Sequence, residues 1–178
     1  TAEPHRLLPK ERVVVPDPGT PCPYAAAYYD LLEPGRHFIT NRAHGALGYS
    51  MAAAMGAWYG RPGARCVSLM GDGSFGFCVG ELETVVRHKV PLLMVVFANS
   101  TYGWIKASQK ASYGKRYFSV DFSRTEHARV ATEYGVKAWK VERPAELGKV
   151  LQRAAEHGGT ALVEVVTQSL EEAAGPVL

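Results

Sequence analysis

The chain has 178 residues, of which 47% are hydrophobic and 21% charged, and it carries a formal net charge of +3. Such a composition excludes long disorder and suits one soluble domain over 1–178 that buries roughly 70% of its unfolded surface. Its basic residues are dispersed apart from a patch at 106–116 that is interleaved with small and aromatic residues, so no nucleic-acid partner is expected.

A polar, Pro-rich leader at 1–11 precedes the first short apolar run, a strand at 12–15. A helix is predicted at 24–32, a strand at 37–40, a helix at 46–59, a strand at 66–70 and a helix at 77–88. The apolar run 92–98 is the next strand, and 102–122 follows without a clear period, rich in Lys, Ser, Gly and Tyr. That segment reads as a functional loop or short helix and not as core. A helix at 124–134, a strand at 137–141, a helix at 145–156 and a strand at 161–167 complete the pattern. Strands alternating with helices predict an α/β fold, a three-layer αβα arrangement around a mostly parallel six-stranded sheet.

The longest apolar stretches, 46–58 and 90–98, are too short or too interrupted by Gly to span a bilayer. Residues 1–10 carry charges and prolines where a signal peptide has its apolar core, so no membrane is expected and the cytoplasm is the default location. Cys22, Cys66 and Cys78 have no metal-ligand spacing and read as small core residues.

The strongest chemical signal is Gly71-Asp72-Gly73-Ser74 directly after one apolar run, with Asn99 directly after the next. In an open α/β sheet ligands bind beyond the carboxyl ends of the strands, and neighbouring strands lie about 4.8 Å apart. A carboxylate and an amide oxygen so placed suit Mg2+, which takes oxygen ligands in octahedral array and bridges phosphates. Asp72 and Asn99 are the side-chain ligands, with the Thr101 carbonyl as third. Gly71 and Gly73 allow backbone to approach a phosphate, and Ser74 opens the next helix, whose first N–H groups favour an anion. Gly19-Thr20 after the first strand fits the same logic.

The run Gly71-Asp72-Gly73-Ser74-Phe75 through Asn99-Ser100-Thr101-Tyr102-Gly103 resembles the cofactor signature of thiamin diphosphate-dependent enzymes. The intervening Glu81-Leu82-Glu83-Thr84-Val85-Val86-Arg87 is similar to the acetolactate synthase and pyruvate oxidase branch. Gly45-Ala46-Leu47-Gly48-Tyr49 and Ala52 to Ala57 resemble the segment that cradles the aminopyrimidine ring, and Trp104-Ile105-Lys106 with Gln109 resembles the stretch after the metal site in acetolactate synthases. The likeness covers about 16–147 and implies the pyrophosphate-binding, C-terminal domain of such an enzyme.

It implies thiamin diphosphate and Mg2+ as cofactors, with Asp72, Asn99 and Thr101 at the metal. Gly19, Thr20, Gly71, Gly73 and Ser74 fall at the diphosphate, Gly45 and Ala46 at the aminopyrimidine, Leu47 under the bent cofactor, and Tyr102 and Gly103 beside it. Trp104, Ile105 and Lys106 are implied on the substrate side, and His44 is a candidate contact. The implied activity is decarboxylation of a small 2-oxo acid such as pyruvate, followed by protonation or addition to a second carbonyl.

Two departures from the family pattern stand out. Phe97-Ala98-Asn99-Ser100 lacks the usual second Asn, which loosens the register of the third metal ligand. The family's glutamate, which protonates the pyrimidine ring, belongs to a separate pyrimidine-binding domain, and Glu81 and Glu83 lie on the wrong side of the cofactor to replace it. A pyrimidine-binding partner subunit is therefore expected, in a hetero-oligomer with a self-associated core, or else the chain is a fragment of a longer enzyme. A split sulfopyruvate- or phosphonopyruvate-decarboxylase-like subunit and a non-catalytic cofactor-binding module are the alternatives.

Overall fold

The computed structural model describes residues 8–168. Residues 1–7 of the expected leader lie outside the described residues. Five strands form one parallel sheet: β1 (Arg12–Pro16), β2 (Arg65–Gly71), β3 (Leu93–Ala98), β4 (Lys137–Val141) and β5 (Ala161–Val166), in the order β1-β2-β3-β5-β4. The helices are α1 (Pro21–Tyr28), α2 (Tyr49–Gly60), α3 (Asp72–Cys78), α4 (Glu81–Arg87), α5 (Gly103–Ser112), α6 (His127–Glu133) and α7 (Leu147–Glu156). A 3-10 turn, Pro144–Glu146, leads into α7.

Apolar runs, broken in β5 by Glu164, make β1, β3 and β5 strands that are covered on both faces, as a parallel sheet requires. Alternate side chains sort to opposite faces. Val13, Val15, Met94, Val96 and Leu162 pack under Met51 of α2, Phe75 of α3, Leu82 and Val85 of α4, and Ala131 of α6. Val14, Leu93, Val95 and Val163 pack on the other face, against Leu147, Leu151 and Ala154 of α7. The expected three-layer arrangement is present.

The expected sixth strand at 37–40 is not. It shrinks to one parallel bridge, Val14↔Phe38, held by Val14 N–H to the His37 carbonyl at 2.8 Å and Ile39 N–H to the Val14 carbonyl at 3.0 Å. Both ways of extending the ladder are blocked. Pro16 has no N–H to continue it, and the Arg12 carbonyl is taken by His37 Nδ1 at 2.9 Å.

The single helix expected at 77–88 is two. Around Val79 and Gly80 the bonds tighten to Leu82 N–H on the Val79 carbonyl and Glu83 N–H on the Gly80 carbonyl, both at 3.2 Å. The first of the two helices begins earlier than expected, at Asp72, because Phe75 is buried beneath it despite three nearby glycines. Burial overrides the weak helix propensity of Gly.

All three cysteines are buried free thiols. Burial pushes Cys66 up to about 11 and Cys78 up to about 12, so both remain protonated packing residues. Among the described residues no helix is long and apolar enough to cross a membrane.

Alternation along β5 turns one charged residue, Glu164, into the core, where it is 1% exposed. Its Oε1 lies 3.3 Å from His127 Nδ1, and its Oε2 accepts the Ala128 N–H at 2.9 Å. Phe75 packs edge-on against the His127 ring. Burial pushes the Glu164 carboxyl up, but the His127 hydrogen bond, the Ala128 N–H and the nearby charges of His127 and Lys140 hold it below the ordinary 4.5.

A folded value below the unfolded one means that the unfolded chain binds more protons in acid. The contribution of Glu164 is complete above 4.5 and is lost as pH falls through the lowered folded value. Glu164→Ala should cost about 3–5 kcal/mol, because the buried partner His127 is left alone. Denaturation midpoints between about pH 6 and pH 3 should fall steeply for the natural chain and less steeply for Glu164→Gln.

Candidate functional site

The carboxyl ends of β1, β2, β3 and β5 open into one cavity of about 650 Å³. Each strand tip brings a chemically distinct piece: Pro18, Gly19 and Thr20 after β1, Gly71 to Ser74 after β2, Asn99 and Thr101 to Ile105 after β3, and Thr167 and Gln168 after β5. Arg42, Gly45 and Leu47 reach in from the loop before α2. Beyond a strand order that reverses, this is where open α/β sheets place ligands.

Asp72 is the centre of the hydrogen bonding. Its Oδ2 accepts the N–H groups of Asn99 at 2.8 Å and Ser100 at 2.6 Å, and its Oδ1 accepts Gly73 N–H at 2.9 Å. All three of these partners are main-chain donors, so both carboxylate oxygens face N–H groups. The two consecutive N–H groups converge on one oxygen because Ser100 adopts φ 57°, a left-handed conformation that costs a non-Gly residue about 1–2 kcal/mol. The Asp72 contacts offset that cost and lock the tip of β3 to the tip of β2.

The Asn99 side chain is fixed in turn, its Oδ1 accepting Thr101 N–H at 3.3 Å. Thr101 Oγ1 donates to the Val120 carbonyl at 3.0 Å, and the Thr101 carbonyl accepts Gly103 N–H at 2.9 Å. A carbonyl has two lone pairs, so one remains. The donor set at these strand tips is thus a carboxylate, an amide oxygen and a main-chain carbonyl, all oxygen, which fits Mg2+ and not a softer metal. Among the described residues no cluster of three His, Cys, Asp or Glu side chains forms an alternative metal centre.

Gly73 gives the Tyr102 ring its place. A Cβ there would lie 2.3 Å from that ring, which leans on Phe122 with ring centroids 5.1 Å apart, so the ring would have to move. Gly48 is as constrained, with φ 82° and a Cβ position 2.9 Å from that of Phe77. That contact sets α2 against α3 and so places the Gly45 to Leu47 loop over the cavity.

Sequence reasoning passed over Asp17, although it follows the apolar run of β1 directly. Fully buried, it accepts Tyr49 N–H at 3.3 Å, Ser50 N–H at 3.2 Å and the Ser50 hydroxyl at 2.7 Å. Burial pushes its carboxyl up against the pull of these donors from Ser50 and Tyr49. Asp17 thereby ties the start of α2 to the tip of β1. Asp17→Ala should cost about 2–4 kcal/mol, since each orphaned buried donor costs about 1–3 kcal/mol, and a thermal melt with bound and free cofactor would show whether the cavity loop loosens with it.

The structure brings together on the cavity wall Gly19, Thr20, Gly45, Leu47, Gly71, Asp72, Gly73, Ser74, Asn99, Thr101, Tyr102, Gly103, Trp104 and Ile105. Three expected residues are not on it. Ala46 and His44 are exposed on the loop, and Lys106 turns to Asp121, with Nζ–Oδ1 3.0 Å. Glu81 and Glu83 are exposed on α4, Glu83 paired with Arg87 at 2.9 Å. Asp72 is the one carboxylate on the wall among the described residues. Arg42 and Tyr24 were missed, because a loop cation and an aromatic on a short helix carry no periodic signal.

Comparison with known proteins places the fold in a family. The family model described as thiamine pyrophosphate enzyme, C-terminal TPP binding domain, matches residues 17–165; thiamine pyrophosphate is another name for thiamin diphosphate. The chain is 33% identical over 149 residues to the acetolactate synthase of Bacillus subtilis (strain 168), covering 84% of this chain and 26% of that protein. It is 32% identical over 165 residues to a probable sulfoacetaldehyde acetyltransferase of Rhizobium meliloti (strain 1021), covering 90% of this chain and 28% of that protein. It therefore spans about a quarter of the length of these relatives. The solved Rhodococcus jostii RHA1 thiamine diphosphate-dependent 4-hydroxybenzoylformate decarboxylase superposes with a TM-score of 0.86 at 22% identity, over 96% of this chain and 32% of that one, which shows a shared fold. With the family match running from the tip of β1 to the end of β5, the chain belongs to the thiamine pyrophosphate enzymes, as their C-terminal, thiamine pyrophosphate-binding domain.

Proposed function

We propose that this chain is the diphosphate- and Mg2+-binding part of a 2-oxo acid decarboxylase or carboligase of the acetolactate synthase type, completed by a pyrimidine-binding partner domain. The observation that carries the reading is the all-oxygen donor set of Asp72, Asn99 and Thr101, gathered at the tips of β2 and β3 on the wall of one cavity. Similarity to acetolactate synthases supports the branch.

Asp72, Asn99 and the Thr101 carbonyl would hold the metal, and the main chain at Gly19, Thr20, Gly71, Gly73 and Ser74 the diphosphate. Gly45 and Leu47 would hold the rings above. When bound, thiamin diphosphate supplies the carbon nucleophile and the electron sink for decarboxylation. The residues of this chain orient it and keep water from one side, since Leu69, Leu47, Phe97 and Ile105 make much of the wall apolar.

No Glu lines the cavity among the described residues, so the acid that activates the pyrimidine must come from the partner. The protein so assembled would act in the cytoplasm on a small 2-oxo acid.

The test is reconstitution with a pyrimidine-binding domain, following CO2 release from pyruvate with thiamin diphosphate and Mg2+. Turnover is expected only when both parts are present, and product analysis then separates an aldehyde from a carboligated hydroxyketone. Full turnover by this chain alone, or persistent cofactor binding after chelation of Mg2+, contradicts the reading.

A further inference from the structure

The cavity wall carries just two charged residues among those described, Asp72 and Arg42. The two are built for opposite partners. Arg42 sits on a tight turn closed by His44 N–H and Gly45 N–H on the Asn41 carbonyl, at 3.0 and 2.9 Å. Its guanidinium lies over the Trp104 ring, 4.6 Å from the centroid, and its Nη1 donates to the Pro18 carbonyl at 2.9 Å.

These contacts hold a long side chain in one place while using its flat face and one donor. A guanidinium has five N–H donors in a plane, so four remain at its edge. No carboxylate lies within ion-pair distance of Arg42 among the described residues, whereas Lys106, the other nearby cation, is occupied by Asp121. An exposed, unneutralised fork, aimed by Trp104 and the Pro18 carbonyl at the rim of a mostly apolar wall, is suited to bidentate binding of an oxyanion.

We propose that Arg42 binds the anionic head group of the substrate, a carboxylate or sulfonate beside the reacting carbonyl, and holds it at the Trp104 side of the cavity. The proposal rests on the functional reading above and deepens it. Asp72 repels such an anion unless a metal covers it, so a negatively charged substrate has one favourable side to occupy. Trp104, anchored at the start of α5, serves as the platform that aims the fork and not as a donor.

The experiment compares the natural chain with Arg42→Met and Arg42→Lys, each loaded with thiamin diphosphate and Mg2+, using ligand-observed NMR. The probes are pyruvate, its sulfonate counterpart acetylsulfonate, and neutral pyruvamide. Arg42→Met should weaken pyruvate by about ten- to hundredfold, leave pyruvamide and the cofactor unchanged, and keep the melting temperature. Arg42→Lys, which keeps the charge but loses the fork, should fall between. Acetylsulfonate bound more tightly than pyruvate assigns the site to sulfonates, and the reverse assigns it to carboxylates.

Equal pyruvate affinity in all three proteins, or absence of pyruvate binding to the loaded natural chain, overturns the proposal while leaving the cofactor site intact. A drop in cofactor affinity in Arg42→Met also overturns it, because the fork would then serve the diphosphate. A natural chain that binds no thiamin diphosphate even with the pyrimidine-binding domain present overturns the functional reading itself, and this assignment with it.

Discussion

Asp72→Ala is expected to abolish Mg2+-dependent binding of thiamin diphosphate, a loss of at least ~100-fold in affinity, given that even outer-sphere partners of a metal are worth about 10–100-fold. Two separate effects add. The proposed metal would lose the only carboxylate on the cavity wall among the described residues, and the N–H groups of Asn99 and Ser100 lose the oxygen on which they converge. The second effect should destabilise the fold by about 2–4 kcal/mol, at about 1–3 kcal/mol for each unsatisfied donor. Ser100 would then be free to leave its left-handed conformation.

Asp72→Asn separates the two. Its amide oxygen can still accept a backbone N–H, so stability should drop by no more than about 1–2 kcal/mol, while the lost charge still removes the metal. Calorimetry with and without Mg2+, alongside urea denaturation, reads both quantities. Affinity in Asp72→Ala that matches the natural chain would mean the metal lies elsewhere.

Gly73→Ala is the second large effect. The added methyl would sit 2.3 Å from the Tyr102 ring, a separation that no packing tolerates, so the ring must swing off the turn. Overpacking of this kind costs about 1–3 kcal/mol. It should also disturb cofactor binding, since Tyr102 and Gly73 both line the cavity. Tyr102→Ala in the Gly73→Ala background should recover stability by relieving the clash, giving a coupling energy of about 1–2 kcal/mol in a double-mutant cycle. Additive effects of the two substitutions would show that the ring and the turn do not press on each other.

The strand tips were the most legible part of the sequence. Asn99 follows an uninterrupted apolar run directly and Asp72 follows a run broken only by Ser68 and closed by Gly71, and a run buried on both faces has no phase to misread, so its end marks a site whatever the face. The same logic would have found Asp17 had the run at β1 not ended in Pro16. That proline hides the strand end, and it also caps the ladder that 37–40 would need.

Elements shaped by tertiary contacts were harder to see. The helix α3 forms over two glycines, Gly73 and Gly76, because Phe75 is drawn into the core, and the break at Val79 and Gly80 leaves the apolar period of Leu82 and Val85 intact. Helix α5 has only Gly103 buried, so no stripe announces it. What fixes the segment beyond it is Gln109, which bonds both the N–H and the carbonyl of Phe118, at 2.9 and 3.2 Å. Arg42 becomes visible only when the fold sets Trp104 beside it.

The central claim is that Asp72 and Asn99 share a divalent ion that grips a diphosphate, and both of these side chains belong to this chain. Mn2+ added with inorganic diphosphate to the isotope-labelled chain tests it directly, because the paramagnetic ion broadens backbone amide signals by distance. The account predicts that Asp72, Gly73, Asn99, Ser100 and Thr101 lose their signals first, and only when diphosphate is present. Unchanged signals at these five positions, with broadening at surface carboxylates such as Glu83 or Glu142 instead, would contradict it.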